Sequence, residues 1–251
     1  MVLINILTRT SNRPIYFRDC VDSVRSQTHR GIRHVVGADD DASLAYAQAE
    51  VPDAIRLWPA TPTDRRPNHA PYNLYLNTLM DRVEDGWIMF LDDDDMFVDA
   101  HSLAAVAEHA TDEDQVLLWR VQFPGRLVPA HSFGRIPLLG DVTGAGFMFH
   151  SKHRSVAQWD AVKGSDHRVI ERLFLLLKPV WIDRILTRAN YAPSTPEFRG
   201  GLGQRADKSM AAIDAGPAQP PPPVWPLSEL DALRKRVAKL EAERGTDPTR
   251  A

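Results

Sequence analysis

Four consecutive carboxylates, Asp92-Asp93-Asp94-Asp95, leave an apolar run, Gly86-Trp87-Ile88-Met89-Phe90-Leu91. An apolar run of this kind predicts a strand buried on both faces. In open α/β sheets ligands sit beyond the carboxyl ends of strands, where these aspartates fall. Adjacent negative charges repel, so the cluster costs stability unless a cation offsets it. Oxygen ligands alone suit a hard divalent ion, Mg²⁺ or Mn²⁺. A second acidic stretch, Asp39-Asp40-Asp41, comes after another short apolar segment, Ile32 to Val36. The plainer alternative for the Asp92–Asp95 cluster is a solvated acidic loop.

The elements that would position these acids alternate. Val2 to Leu7 predicts a strand, Ile15 to Gln27 an amphipathic helix behind Pro14, and Ile32 to Val36 a strand. Ala42 to Ala49 predicts a short helix and Ala54 to Trp58 a third strand. A proline-rich loop over 59–71 and a helix over 72–83 precede the opening strand. Further on, a helix around Leu103 to Ala107 leads to strands at Gln115 to Val121 and Gly144 to His150, with a Gly/Pro loop over 133–141 between them. A helix over 166–177 comes next, then a last short strand or two at 180–182 and 185–186. Strand–helix alternation argues βαβ units around a mostly parallel sheet with helices on both faces. Asp166, at a predicted helix start, fits a helix cap on residue type alone.

At 251 residues the chain can hold one sizeable α/β core with an appendage. The expected division is a main domain over 1–214, a proline-rich linker over 215–226, and a C-terminal amphipathic helix over 227–245. Within that helix Leu230, Leu233, Val237 and Leu240 form a two-heptad seam, open between self-association and docking back on the domain. A net charge of −3 gives no general pull toward nucleic acid or anionic membranes. The single cysteine, Cys20, fits a reducing compartment. No apolar stretch approaches the roughly 20 residues of a transmembrane helix, and Met1 to Leu7 is short for a signal peptide. The expectation is a soluble, cytoplasmic protein.

Five segments in order resemble a family 2 glycosyltransferase of GT-A fold. Ile6-Leu7-Thr8-Arg9-Thr10-Ser11-Asn12-Arg13-Pro14 resembles that family's strand-then-TYNRP start, and Asp22 to Thr28 its SVLxQT helix end. Val35 to Asp41 is similar to the VVDDxS strand end, and Leu91 to Asp95 matches LDxDD, the DxD motif. Gly164 to Leu173 resembles the EDxxLxxRL segment that carries the catalytic base. Together they span roughly residues 3 to 187. The resemblance divides the main domain into a nucleotide-sugar-binding half over 1–98, an acceptor half over 99–189 and a mobile loop over 190–214.

The resemblance implies transfer, with inversion, of a sugar from a nucleoside-diphosphate sugar, foremost a UDP-sugar, to an acceptor hydroxyl. It implies that Asp39 meets the base edge, with Asp40 and Asp41 as neighbours for the same role. Asp92 and Asp93 would lie near ribose and metal, and Asp94 would ligate Mn²⁺ or Mg²⁺. Asp95 would only cap the next segment of chain. Thr8 and Arg13 would sit where the first loop meets the nucleotide, and Asp166 would be the general base. The chain departs from the pattern in two places: Ser165 replaces the usual Glu, and Ala70-Pro71-Tyr72-Asn73 stands where many members have an arginine or asparagine. That leaves Asn73 or Arg65 for the diphosphate. His150 and His153 are the histidines expected nearest the site.

Two other readings are open. A sugar-nucleotide nucleotidyltransferase would need a Gly-rich first loop, which Thr8 to Pro14 lacks. A non-catalytic scaffold of the same fold is argued against by the intact Asp92, Asp94 and Asp166. The acceptor is unread: a soluble glycan, protein or small molecule is favoured over a lipid carrier, and nucleic acid is not excluded.

Overall fold

A computed structural model of the protein describes residues 1–57, 70–130 and 132–189. In chain order these residues form β1 (Ile4–Thr10), α1 (Pro14–Arg25), β2 (Ile32–Ala38), α2 (Asp41–Glu50), β3 (Ile55–Arg56), α3 (Leu74–Met80), β4 (Trp87–Phe90) and β5 (Met96–Phe97). They continue with α4 (Ser102–Ala107), β6 (Gln115–Phe123), β7 (Arg126–Val128), β8 (Phe147–His150), α5 (Ser165–Leu176) and β9 (Lys178–Arg188).

One nine-stranded sheet carries the fold, in the order β3-β2-β1-β4-β8-β6-β9-β5, with β7 paired to β6. The strands β3, β2, β1 and β4 run parallel. Strand β8 runs antiparallel between β4 and β6, and β6 pairs parallel with β9. The sheet is therefore mixed, and its first four strands form a parallel half.

Alternation along the strands separates two cores. Ile88 and Phe90 of β4, Phe147 and Phe149 of β8, and Val116 and Leu118 of β6 pack with Leu76 and Leu79 of α3 and Val169, Ile170 and Leu173 of α5. Their neighbours Trp87 and Met89, Met148, and Leu117 and Trp119 point the other way, onto Cys20 and Val24 of α1 and Leu103 and Val106 of α4. Phe17 and Val21 of α1 extend that layer over Val36 and toward α2. Both faces of the central strands are covered, which is why β4 reads as a continuous apolar run. Cys20, the sole cysteine of the chain, is 1% exposed in this layer. Gly86 enters β4 at φ 92°, with Leu3 against its α-carbon; a side chain there would meet the Leu3 carbonyl at 2.8 Å.

Several boundaries differ from expectation. β1 runs on through Thr8 and Thr10, because these residues stay in register with Val36 and Ala38 of β2. Residues 144–146 form a 3₁₀ turn and not the start of a strand. The helix expected over 72–83 is a 3₁₀ turn, Pro71–Asn73, then the seven-residue α3. Of the strand or two expected after α5 there is one, longer than expected: β9, with irregular pairing beside Trp119, Arg120 and Val121. The hairpin strand β7 and the two-residue β5 have no counterpart among the expected elements. Most of the proline-rich loop at 59–71, the loop after residue 189, the linker and the C-terminal helix lie outside the described residues. Among the described residues no helix is long and apolar enough to cross a membrane.

Candidate active site

Parallel pairing brings the ends of β1, β2 and β4 to one edge of the sheet. Beyond them lie Ser11 to Arg13, Asp39 to Asp41 and Asp92 to Asp95. The last of these wraps into a turn closed by the Asp95 N–H donating to the Asp92 carbonyl at 2.9 Å. Because the backbone turns, the four carboxylates point different ways.

Asp92 accepts a fork from Arg9, Nε to Oδ1 at 2.9 Å and Nη2 to Oδ2 at 3.0 Å. Asp93 turns inward, 5% exposed, and its Oδ2 accepts from the Thr10 hydroxyl at 2.9 Å. Arg13 Nη1 stands between Asp93 and Asp94, 3.2 Å from one carboxylate and 2.9 Å from the other. Burial pushes the Asp93 carboxyl up to about 7; the Asp94 charge adds to this, while Arg13 and Thr10 oppose it. Asp94 is also raised, by burial and the Asp92 charge against the pull of Arg13. For Arg9 burial works against the charged form, but Asp92 outweighs it and the pKa is raised. Three carboxylates, Asp92, Asp93 and Asp94, thus share two guanidinium groups.

A cleft of about 190 Å³ opens between this turn and α5. That is the size of a few sugar-ring atoms and waters, below the several hundred Å³ of a site enclosing a whole nucleotide. Asp92, Asp95, Arg9 and Tyr72 line it on one side, and Trp159, Lys163 and Asp166 on the other, with Gly144 between. Asp166 sits in the first turn of α5, whose N-cap is Gly164 at φ 74° with no side-chain capping bond. The Asp166 carboxylate accepts the His167 N–H at 2.8 Å. Burial raises its pKa, the His167 N–H and side chain oppose the rise, and the Asp92 charge adds to it. Asp166 is therefore not the helix cap; it is a cleft-lining carboxylate made more basic by its surroundings.

The other expected residues have varied placements. Thr8 is fully buried inside β1, its hydroxyl donating to the Leu91 carbonyl at 2.7 Å and lying 2.9 Å from His34 Nε2; it holds β1 to β4 and does not stand in a loop. Arg13 braces Asp93 and Asp94, and its side chain is only 14% exposed. Asp40 caps α2 by accepting the Ser43 N–H at 2.7 Å, and Asp41 is an exposed partner of Arg56, which leaves Asp39 at the β2 end. Asn73 is committed to the protein, accepting from Arg9 at 3.1 Å and donating to the Val162 carbonyl at 2.8 Å. Arg65 lies outside the described residues. The two histidines are at the wrong end: His150 pairs with Trp87, where β4 begins, and His153 meets Asp114 at 2.9 Å.

Sequence reasoning does not find Arg9, Asp95, Tyr72 or Trp159. Asp95 lines the cleft and does more than cap the next segment. Arg9 has one available signal: its odd spacing from Thr8 and Thr10 places it on the face of β1 opposite Ile6 and beside β4.

The donor set fits a divalent cation. Hard oxygens dominate, and two of the carboxylates are raised by burial and by the charge of their acidic neighbours. Among the described residues no three acidic, histidine or cysteine side chains converge as a closed cage. An ion of the Mg²⁺ type takes one or two carboxylates and completes its shell with phosphate and water.

No family model and no curated protein sequence matches the chain. Solved structures do match in fold. TarS 1-349 from S. aureus superposes with a TM-score of 0.56 at 18% identity, over 74% of this chain and 60% of that one. Its complex with UDP-GlcNAc gives 0.58 at 16% identity, over 78% and 60%. The mannosyltransferase PcManGT from Pyrobaculum calidifontis, in complex with GDP-Man and Mn²⁺, gives 0.56 at 13% identity over 98% of this chain and 76% of that one. The chain thus spans about 60% of the TarS fragment. At these identities the likeness is one of architecture, and the architecture of this chain is the α/β GT-A fold.

Proposed function

We propose that this protein is a metal-dependent glycosyltransferase that moves a sugar from a nucleoside-diphosphate sugar, a UDP-sugar foremost, to an acceptor hydroxyl with inversion. The observation that carries this is the cleft itself: Asp92 and Asp95 on one wall and a raised-pKa Asp166 on the other. The fold that holds it also occurs in proteins solved with UDP-GlcNAc and with GDP-Man and Mn²⁺.

Asp39 takes the base edge at the end of β2. Asp92 and Asp93 form the ribose side, with Arg9 and Arg13 holding their carboxylates in place. Asp94, shared with Arg13, is the protein ligand for Mn²⁺ or Mg²⁺. The cation, when bound, neutralises charge developing on the departing diphosphate. Arg13, beside these acids, pairs with a phosphate of the donor. Asp166 accepts the acceptor's hydroxyl proton as its oxygen bonds to the anomeric carbon. On the opposite face the bond to the diphosphate oxygen breaks, and the electron pair leaves with the diphosphate. Burial suits Asp166 to this task, since a more basic carboxylate takes a proton more readily.

A panel of nucleotide sugars, read by release of nucleoside diphosphate with and without Mn²⁺, is the direct test. Metal-stimulated release from one donor is expected. Binding without release from any donor, across glycan, protein and small-molecule acceptors, would return the chain to a scaffold role.

A further inference from the structure

A buried arginine and Asn73 together link the Asp92 turn to the segment before α5. Arg9 is 8% exposed, and its guanidinium is committed in two directions. Nε and Nη2 grip Asp92, while Nη1 donates to the Tyr72 carbonyl at 2.8 Å and to Asn73 Oδ1 at 3.1 Å. The amide of Asn73 continues the line, its Nδ2 donating to the Val162 carbonyl at 2.8 Å and the Asp160 carbonyl at 3.4 Å. Asp160 in turn gives its N–H to the Ser165 hydroxyl at 2.6 Å, one residue before Asp166.

Residues 159–162 have no helix or regular strand of their own; they are tied to α5 by the Asp160 carboxylate, which meets Arg172 at 3.3 Å and Arg168 at 3.7 Å, and to the 70–77 segment by hydrogen bonds. The Ala70 N–H meets the Ala161 carbonyl at 2.8 Å, and Asn77 binds both the N–H and the carbonyl of Trp159, at 2.7 Å and 2.9 Å. Of these contacts, only the Asn73 link runs on to a donor-side acid. Lysine could not replace Arg9, because a planar fork is needed to hold a carboxylate by two parallel bonds and still reach two further acceptors.

We propose that Arg9 and Asn73 form a hydrogen-bonded strut that sets the position of Asp166 according to the state of Asp92. Both are positioning residues for the base. When a ligand draws on the Asp92 carboxylate, the Arg9 fork changes partners, and the change is passed through Asn73 to the segment that starts α5. Occupation of the donor side thereby orders the base before an acceptor arrives. The assignment of sides rests on the proposed function; the strut itself does not.

Amide hydrogen exchange tests it. Asn73→Asp keeps an oxygen for Arg9 but puts a second oxygen, in place of the amide nitrogen, against the Val162 carbonyl. In the ligand-free variant, exchange over 159–168 is expected to rise at least tenfold, while 86–91 stays within twofold of wild type. UDP with Mn²⁺ is expected to protect 159–168 at least threefold in wild type and not in the variant, although it raises the thermal midpoint of both alike. With UDP-GlcNAc or GDP-mannose as donor, whichever turns over, kcat should fall at least tenfold with the donor KM within threefold. Should Asn73→Asp fail to fold, Asn73→Ser, which also lacks the link to Val162, gives the same comparison. Unchanged exchange over 159–168 in the ligand-free variant overturns the strut, and equal protection in both proteins overturns the transmission. Failure of UDP and GDP to affect wild type at all refutes the donor site instead, and the ligand-free comparison still decides the strut.

Discussion

One nitrogen of Arg13, Nη1, serves two carboxylates, lying 3.2 Å from Asp93 and 2.9 Å from Asp94. All three side chains are largely buried, so removing the cation leaves two carboxyl groups without their shared partner in a poor solvent. Arg13→Met is expected to destabilise the metal-free protein by about 3–5 kcal/mol, the range for breaking a buried pair. Urea denaturation in chelator measures this. Added Mn²⁺ should return part of the loss, and a variant as stable as wild type would remove Arg13 from this role.

The same cluster sets a pH dependence. In the folded protein the Asp93 carboxyl is at about 7, far above the ordinary value near 3.9 that it takes when unfolded, roughly that of a model peptide. Between these values the folded state holds the extra proton, so stability falls as pH rises. The contribution is fully present below about pH 4 and lost as pH climbs through about 7. The thermal midpoint in chelator should show this as a downward slope from about pH 5 to 8 at fixed ionic strength. Asp93→Asn should flatten it.

A nucleoside diphosphate and a cation should bind as a unit. UDP is expected to raise the thermal midpoint only with Mn²⁺ or Mg²⁺ present, and Asp94→Ala should abolish the increment. No metal-linked stabilisation by any nucleoside diphosphate would sink the donor-site assignment.

Asp166 separates binding from chemistry. Asp166→Asn should keep the UDP–Mn²⁺ stabilisation and lose about 10²–10⁴-fold in transfer, the usual contribution of a general base. Because burial raises its pKa, wild-type activity should fall, as pH is lowered, earlier than for an exposed carboxylate. Full activity in Asp166→Asn would reduce the residue to a structural one.

Much of this is legible in the sequence. The apolar run into Asp92 and the shorter one into Asp39 place acids at the ends of two strands, with β1 between them, because burial on two faces leaves a plain imprint on sequence. Helix α5 shows its inward residues, Val169, Ile170 and Leu173, at helical spacing. Direction does not show. Four aspartates in a row look equivalent, yet a turn closed between Asp92 and Asp95 sends Asp93 into the protein and Asp95 into the cleft. Thr8 reads as a loop residue because threonine suits loops and strands equally, and only its register with Val36 puts it in β1. The Arg9 fork joins residues 83 apart in sequence, a separation at which local pattern carries no information.

The lone thiol of α1 has a practical corollary. Cys20 is sealed within the layer between α1 and the sheet, and its pKa stands well above the ordinary value because of burial and the charges of Asp95 and Asp93. Neither access nor ionisation favours a reagent while that layer is shut. Alkylation of the native protein therefore runs on the opening of the layer, with no second cysteine to blur the signal. A compound that binds only the closed form should slow this clock in proportion to its occupancy, giving a readout that needs neither a known sugar nor a known acceptor.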